Sequence, residues 1–233
     1  GNAAAFSIPC IENLSKADGT AVQVLILCPR RELALQACEE NDKFSKYKPE
    51  VKTVAIYGGQ QIDRQIVALR KRPQIVVGTP GRVMDHIRRR TLKLDQLSTV
   101  ILDEADEMLS MGFREDIETI LKDVPETRQT ILFSATLSKE IINITKQYQT
   151  DPEMIQVTRE QVTLPNIEQL YYEVSSEQKV EVLCRLLDIY NPVRSVIFCN
   201  TKRMVDELAN LLRLRGYTAK ELHGDIKQSI RTQ

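Results

Sequence analysis

Short apolar runs recur along the chain, and they lack the apolar–polar alternation of a strand that has one face in water. Unbroken runs of this kind are typical of β-strands that are buried on both faces. We therefore predict strands at residues 22–27, 51–56, 75–77, 100–102, 131–133 and 196–198.

Segments with helical spacing separate these runs. Two of them place four apolar residues each on one helical face: Ile117, Ile120, Leu121 and Val124 in the first, and Met204, Leu208, Leu211 and Leu212 in the second. Alternation of short buried strands with helices predicts an α/β fold, in which helices flank a parallel sheet.

The alternation pauses at residues 158–165, where a polar stretch precedes Pro165, which discourages regular structure. We predict a linker there, between an N-terminal domain at 1–157 and a smaller C-terminal domain at 166–233. Two further strands are predicted in the smaller domain, at 167–174 and 218–222. Because this domain has about half the length of a typical α/β domain, we expect it to be partial and to bury little apolar surface.

Composition narrows the class of protein without naming it. Hydrophobic residues make up 42% and charged residues 27% of the chain, as in ordinary globular proteins. Lys plus Arg and Asp plus Glu number 32 each, so a surface that binds nucleic acid would have to gather positive charge on one face. No apolar run is long enough to span a bilayer, and we expect no membrane association.

Cysteine and histidine usage gives no sign of a metal site. The cysteines are scattered and include no C-x-x-C pair: Cys10, Cys28, Cys38, Cys184 and Cys199. We expect reduced thiols, mostly in the core, and a cytoplasmic location. The histidines, His86 and His223, are expected to be structural.

The most informative polar residues directly follow the strand predicted at 100–102. The segment Asp103-Glu104-Ala105-Asp106 places carboxylates at the carboxyl end of a buried strand, where open α/β sheets bind ligands. The first acid of such a pair suits a hydrated Mg²⁺ ion on nucleotide phosphates, and the second suits orienting an attacking water. The acidic first turn of a solvated helix is the alternative for the tetrapeptide alone, but the preceding strand favours a site.

Two turns that contain glycine have the properties of phosphate-binding segments. Gly58-Gly59 allows close approach of the backbone to a phosphate, although a glycine pair is more often a plain turn. Thr79-Pro80-Gly81 lies at a strand-to-helix turn, where free N–H groups and the helix dipole favour an anion. None of these groups reads a base edge, so a nucleic acid bound here would be held independently of its sequence.

These segments belong to a longer series of motifs in a fixed order. The series reads Pro29-Arg30-Arg31-Glu32-Leu33-Ala34, Tyr57-Gly58-Gly59, Thr79-Pro80-Gly81-Arg82, Asp103-Glu104-Ala105-Asp106, Ser134-Ala135-Thr136, Val196-Ile197-Phe198-Cys199-Asn200-Thr201, His223-Gly224-Asp225 and Gln228-Ser229-Ile230-Arg231. Over essentially its whole length, the chain resembles the DEAD-box ATP-dependent RNA helicases, and residues 108–117 resemble the bacterial members.

The resemblance implies two RecA-like domains, the second of them partial here, that clamp ATP between them while single-stranded RNA lies across both. It implies that Asp103 coordinates Mg²⁺ through water and that Glu104 positions the attacking water. Ser134 and Thr136 would bond Asp106 and its neighbours, and so link the nucleotide state to strain in the RNA. The implied RNA-binding residues are Pro29, Arg31, Gly58, Gly59, Thr79, Gly81 and Arg82 in the first domain, and Gln228 and Arg231 in the second.

The chain departs from the family pattern at two places. Aligned on Ala4-Ala5-Phe6, Gly1 matches the last glycine of the family's phosphate loop G-x-G-K-T and is expected to contact the nucleotide. Asn2 then stands at the lysine position without a charge for the phosphates, and Ala3 at the threonine position without an oxygen for Mg²⁺. These residues are either a variant loop or a truncated or tagged end. The second departure is Arg30, where the family usually has threonine, and its side chain either contacts a phosphate or is solvated.

We therefore expect the core of an ATP-dependent RNA helicase, in which RNA-stimulated hydrolysis of ATP, with Mg²⁺, separates short RNA duplexes. The phosphate loop and the arginines that reach the γ-phosphate in the family are not found, so we expect this chain itself to be inactive. A catalytically dead RNA-binding module is the alternative, and a DNA-translocating helicase of related fold is a weaker one. No feature of the sequence indicates a protein partner or a particular RNA.

Overall fold

A parallel five-stranded sheet lies in the first of the two units into which the chain divides, Gly1–Gln156 and Val157–Gln233. The computed structural model describes residues 2–14, 21–156 and 167–226. The predicted linker at 158–165 lies outside these described residues.

The strands and helices of the first unit alternate along the chain. The strands are β1 (Val24–Leu27), β2 (Thr53–Ile56), β3 (Ile75–Gly78), β4 (Thr99–Leu102) and β5 (Gln129–Leu132). The helices are α1 (Asn2–Glu12), α2 (Arg31–Phe44), α3 (Ile62–Leu69), α4 (Pro80–Arg88), α5 (Ala105–Ser110), α6 (Arg114–Asp123) and α7 (Lys139–Tyr148). The five strands predicted for this part of the chain and the α/β fold class are thus confirmed.

The strand order is β2-β3-β1-β4-β5, with every neighbouring pair parallel. The chain starts in the middle of the sheet at β1, moves to one side for β2 and β3, and then crosses to the other side for β4 and β5. Open sheets of this type bind ligands outside the carboxyl ends of their strands, where the order reverses. Because all five strands run the same way, the segments that follow them meet at this one edge.

The sheet separates two cores, because successive side chains of a strand point to opposite faces. Val24 and Ile26 of β1 pack with α1 and α2 on one face, while Leu25 and Leu27 pack with residues of α4 to α7 on the other. The helical face predicted at 117–124 is confirmed, since its four apolar residues are all buried in the second core. Burying each such side chain contributes about 1.5–3 kcal/mol.

The cysteines behave largely as the sequence predicted. All five fall within the described residues and are free thiols, and Cys10, Cys28 and Cys184 are buried. Burial raises the pKa of Cys10 to about 11, so this thiol is protonated at neutral pH. Among the described residues, no helix has both the length and the apolar character that crossing a bilayer demands.

The second unit contains two helices among its described residues, α8 (Lys179–Tyr190) and α9 (Lys202–Leu214), and a short 3-10 helix at Ser176–Gln178. The hydroxyl of Thr201 caps α9 by accepting from the N–H of Met204 at 3.2 Å. The apolar face predicted for α9 is wrong in part, because Met204 and Leu211 are exposed whereas Ala209 and Leu212 are buried.

The strands predicted in this unit at 167–174, 196–198 and 218–222 are absent from the described residues. Two side chains that were predicted to be buried are instead exposed to solvent: Val196 is 80% and Phe198 is 93% exposed. A strand of a parallel sheet needs hydrogen-bonded neighbours and a packed layer on each face. Apolar composition alone supplies neither, so these segments have no regular structure here.

Candidate functional site

The acidic segment 103–106 leaves the carboxyl end of β4 in the middle of the edge where the strand-following segments meet. The N–H of Asp103 donates to the carbonyl of Leu27 at 2.9 Å, and the N–H of Ala105 donates to the carbonyl of Phe133 at 3.0 Å. These bonds tie the segment to the ends of β1 and β5, its two neighbours in the sheet. The acids are therefore held by the backbone on both sides.

Glu104 has a backbone conformation that is rare for a residue with a side chain. It lies in the left-handed region, at φ 52° and ψ 51°, immediately before the first residue of α5. Such conformations cost on the order of 1–3 kcal/mol and persist where the surrounding structure imposes them, often at functional sites. Here the backbone bonds on either side impose it, and the side chain of Glu104 is exposed.

Burial makes both acids harder to ionise. Burial raises the pKa of Asp103, although the side-chain amide of Asn2, 3.4 Å from the Asp103 carboxylate, opposes the rise. Desolvation and the Asp103 charge raise the pKa of Glu104, and the cation of Arg30 opposes that rise. An added cation would relieve the repulsion between the two carboxylates.

A magnesium ion fits this pair of acids. Mg²⁺ binds oxygen ligands and is commonly held by one or two carboxylates, water and substrate phosphates. The described residues contain no group of three or more His, Cys, Asp or Glu side chains arranged to hold a metal ion. The donor set therefore suits an ion that arrives with a phosphate ligand, for which Asp103 supplies the carboxylate.

The segment after β5 reaches the acids through one side-chain hydrogen bond. The hydroxyl of Thr136 donates to the carboxylate of Asp106 at 3.0 Å. Ser134 forms a local turn, in which its hydroxyl donates to the carbonyl of Thr136 at 2.7 Å and lies 3.3 Å from the N–H of the same residue. Thr136 thus contacts the acidic segment directly, and Ser134 holds Thr136 in place.

Arg31 and the glycine pair lie together on the other side of β1. The guanidinium of Arg31 lies 4.9 Å from the centre of the buried Tyr57 ring, which makes a cation–π contact. Gly59 has φ 81°, and a Cβ there would lie 4.0 Å from Nη1 of Arg31. The turn at Gly58-Gly59 therefore presents bare backbone beside the Arg31 cation. Pro29, which precedes the two arginines, is buried.

Arg82 is held by the turn that follows β2. Its Nη1 donates to the carbonyl of Gln60 at 3.0 Å and to the side-chain oxygen of Gln65 at 3.1 Å. Thr79 precedes α4, with Pro80 at the first helical position, and its N–H already donates to the carbonyl of Ile56 at 3.1 Å. The structure thus joins the turns after β2 and β3 into one surface that carries Arg82, with Gly81 exposed.

Two buried residues behind Arg82 were not predicted to take part in the site. Gln65 is 1% exposed and donates to the carbonyl of Tyr57 at 2.9 Å, and its oxygen also lies 3.1 Å from Nε2 of His86. Nδ1 of His86 lies 2.8 Å from the hydroxyl of Thr91. Burial and the charge of Arg82 lower the pKa of His86, which favours the neutral ring.

A signal for Gln65 exists in the sequence. It lies at the helical spacing of Ile62, Ile66 and Leu69, which form the inward face of α3, so an amide stands where an apolar residue is expected. Buried polar groups are nearly always hydrogen-bonded, and a lone amide on an apolar face therefore indicates a specific partner. Gly1, Gln228 and Arg231 lie outside the described residues.

Comparison with known proteins identifies the family of this chain. Residues 1–144 match the family model described as "DEAD/DEAH box helicase", and residues 178–233 match the one described as "Helicase conserved C-terminal domain". The chain belongs to the DEAD/DEAH-box helicase family. The architecture of its first unit is accordingly the RecA-like parallel sheet of that family.

Relatives and a solved structure resemble this DEAD/DEAH-box chain over nearly all of its length. It is 52% identical over 231 residues to the DEAD-box ATP-dependent RNA helicase CshA of Bacillus cereus, covering 99% of this chain and 44% of that protein. Identity to CshA of Bacillus subtilis is 49% over 231 residues, covering 99% of this chain and 46% of that protein. A crystal structure of a DEAD box protein from the hyperthermophile Methanococcus jannaschii matches at 44% identity with a TM-score of 0.64, covering 99% of this chain and 61% of that one. The chain therefore spans about half the length of the curated relatives it matches.

Proposed function

We propose that this chain is part of the core of an ATP-dependent RNA helicase, which uses ATP and Mg²⁺ and acts on single-stranded RNA or short duplexes without regard to sequence. The observation that carries the proposal is that two kinds of functional group lie at the carboxyl ends of the strands of one sheet. Carboxylates suited to a metal–nucleotide complex follow β4, and cations beside bare backbone follow β1, β2 and β3.

On the nucleotide side, Asp103 would hold Mg²⁺ through water, and the bound ion would neutralise charge on the nucleotide phosphates. Glu104 would accept a hydrogen bond from the attacking water and orient it toward the terminal phosphate. Its left-handed backbone supports this role, because the hydrogen bonds on either side fix the direction in which the side chain leaves the main chain.

On the RNA side, Arg31 and Arg82 would contact backbone phosphates, and Gly58-Gly59 and Gly81 would let the strand approach closely. Every one of these contacts goes to phosphate or sugar, so the surface selects a strand shape rather than a base sequence. The hydrogen bond from Thr136 to Asp106 joins the nucleotide side to the segment after β5, and it is the contact through which the nucleotide state would act on the rest of the core.

The first experiment is RNA-stimulated ATP hydrolysis and strand separation on a short RNA duplex. The chain is compared with a chimaera in which it is joined to the flanking segments of CshA from Bacillus subtilis. RNA-stimulated hydrolysis by the chimaera supports the proposal. Hydrolysis that responds to DNA as strongly as to RNA would point instead to a DNA-translocating helicase, and a chimaera that neither hydrolyses ATP nor binds RNA would refute it.

A catalytically dead RNA-binding module is the second candidate, and one contact favours it. The uncharged amide of Asn2 lies 3.4 Å from the Asp103 carboxylate, at the position where the family's phosphate loop has lysine. If Asn2 keeps this place in the full protein, no point charge from the loop reaches the nucleotide phosphates. RNA binding without hydrolysis in a chimaera that retains Asn2, with hydrolysis restored by Asn2→Lys and Ala3→Thr together, would establish this reading.

Gln65→Leu is expected to weaken RNA binding by about 2- to 10-fold, the value of one net hydrogen bond. Leucine keeps the buried volume but removes one of the two oxygens that receive Arg82, so the guanidinium would be held by the Gln60 carbonyl alone. Fluorescence anisotropy with a labelled oligouridylate measures the change. Gln36→Leu, at an exposed position of α2, is the control. Unchanged affinity in a Gln65→Leu protein that melts normally would show that Gln65 does not orient Arg82 for RNA.

A further inference from the structure

Arg30, where the chain departs from the family pattern, has a defined partner in the structure. Its backbone is extended at the position before α2, and its side chain makes no capping bond to that helix. Instead, Nη2 of Arg30 donates to Oε1 of Glu107 in the first turn of α5. The sequence predicts this side chain either on a phosphate or in solvent, and in the structure it is 59% exposed and paired with Glu107.

The ion pair lies between the two groups of proposed functional residues. Arg31 follows Arg30 directly and stacks on Tyr57, on the side of the RNA. Glu107 lies in the helix that begins after Glu104, on the side of the nucleotide. Since β1 and β4 are neighbours in the sheet, the Arg30 side chain bridges the segments that follow these two strands.

The Arg30–Glu107 pair is easily broken. The two side chains are 59% and 37% exposed, and ion pairs of this kind contribute little to folding because water and salt screen them. A phosphodiester offers the same guanidinium two oxygens in the geometry that it binds best. Exchange of Glu107 for a phosphate therefore requires a side-chain movement and no rearrangement of the fold.

We propose that Arg30 is an additional contact for an RNA phosphate and that Glu107 is its internal competitor. Glu107 holds Arg30 while RNA is absent, and an arriving phosphate takes its place. This inference rests on the proposed RNA-binding function and adds to it one contact and one acid that opposes that contact. RNA binding then changes the charge next to the acidic segment, because Glu107 loses its cation when Arg30 moves to the phosphate.

The test is the salt dependence of binding to a labelled oligouridylate, measured by anisotropy with the intact chain. Arg30→Thr is expected to weaken binding and to reduce the slope of log K against log salt by about 0.7, the contribution of one phosphate contact on a single strand. Arg185→Thr removes the same charge from the exposed Arg185–Glu181 pair of α8 and should leave the slope unchanged. Equal slopes for Arg30→Thr and the parent chain would overturn the proposal.

Glu107→Gln tests the competitor separately. With Arg30 in place, it should tighten binding by about 2- to 5-fold, as expected for releasing an exposed ion pair. In a chain that already carries Arg30→Thr, it should have no effect, because Glu107 would act through Arg30. An equal gain in affinity in the parent and in the Arg30→Thr chain would show that Glu107 repels RNA directly. The proposed exchange of Glu107 for a phosphate at Arg30 would then be wrong.

The parent chain separates failure of this inference from failure of the proposed function. If the parent binds no oligouridylate even at low salt, the RNA-binding function fails and the inference fails with it. If the parent binds and the Arg30→Thr protein binds equally well, the inference alone fails. Melting temperatures of the variants are expected to match that of the parent, so a weakened complex would reflect a lost contact rather than a lost fold.

Discussion

Glu104→Gln in the CshA chimaera is expected to lower RNA-stimulated ATP hydrolysis by about 10²–10⁴-fold, the usual contribution of a positioned acid–base residue. Glutamine has nearly the same shape and fits the same left-handed backbone, but it has no charge to polarise the attacking water. Desolvation and the negative charge of Asp103 raise the pKa of Glu104. Removing the charge of Glu104 therefore also removes the repulsion between the two carboxylates. Nucleotide binding should therefore be unchanged or stronger while turnover falls.

The measurement is steady-state hydrolysis at saturating RNA, with nucleotide affinity determined in parallel. Glu115→Gln removes the same charge from an exposed position in the first turn of α6 and should be neutral. A loss of less than about 10-fold for Glu104→Gln would mean that another group orients the water. Equal losses of turnover and of nucleotide binding would instead make Glu104 a binding residue.

Gly78→Ala is expected to destabilise the first unit by about 1–3 kcal/mol or more, as overpacking of a filled core does. A Cβ at this position would lie 2.6 Å from Cγ2 of Val83, 2.8 Å from Cγ1 of Ile56 and 3.0 Å from the Ile56 carbonyl oxygen. The last of these atoms is backbone, and it accepts the N–H of Thr79 at 3.1 Å. Relief of the clash would therefore move both β2 and the turn at Thr79, and RNA binding should weaken together with stability.

Gly58→Ala is the matched control, since a Cβ there meets no atom within 4 Å. Its unfolding free energy should stay within about 0.5 kcal/mol of that of the parent. Chemical denaturation of the parent and both variants gives the comparison. If Gly78→Ala and Gly58→Ala unfold alike, the packing at the end of β3 is looser than these distances indicate.

The sheet of the first unit could be predicted because its strands are buried on both faces. That burial leaves a local trace, an unbroken apolar run, and β1 and β3 show it clearly. Residues 196–198 form the same kind of apolar run but no strand. A strand also needs hydrogen-bonded partner strands, and a local apolar pattern does not show whether these are present. Apolar composition is thus a necessary condition for a buried strand and not a sufficient one.

In the candidate site, too, features that are local in sequence could be predicted and contacts between distant residues could not. Asp103 and Glu104 could be found because a strand end and a motif coincide in a few consecutive residues. The contacts of Arg30 with Glu107 and of Asn2 with Asp103 join residues 77 and 101 positions apart, so nothing in the surrounding sequence encodes them. Arg82 is predicted from its motif, but Gln65, which accepts its hydrogen bond, is part of a different helix.

All the proposed nucleotide and RNA contacts lie at the carboxyl ends of the strands. The amino ends of the strands, on the opposite side of the sheet, take no part in them. A strand of four residues separates the two edges by about 13 Å at 3.3 Å per residue. Tyr47, 88% exposed in the segment that leads into β2, lies toward the amino ends of the strands. A fluorophore or surface tether introduced there would report on the core, or immobilise it, without standing in the path of nucleotide or RNA.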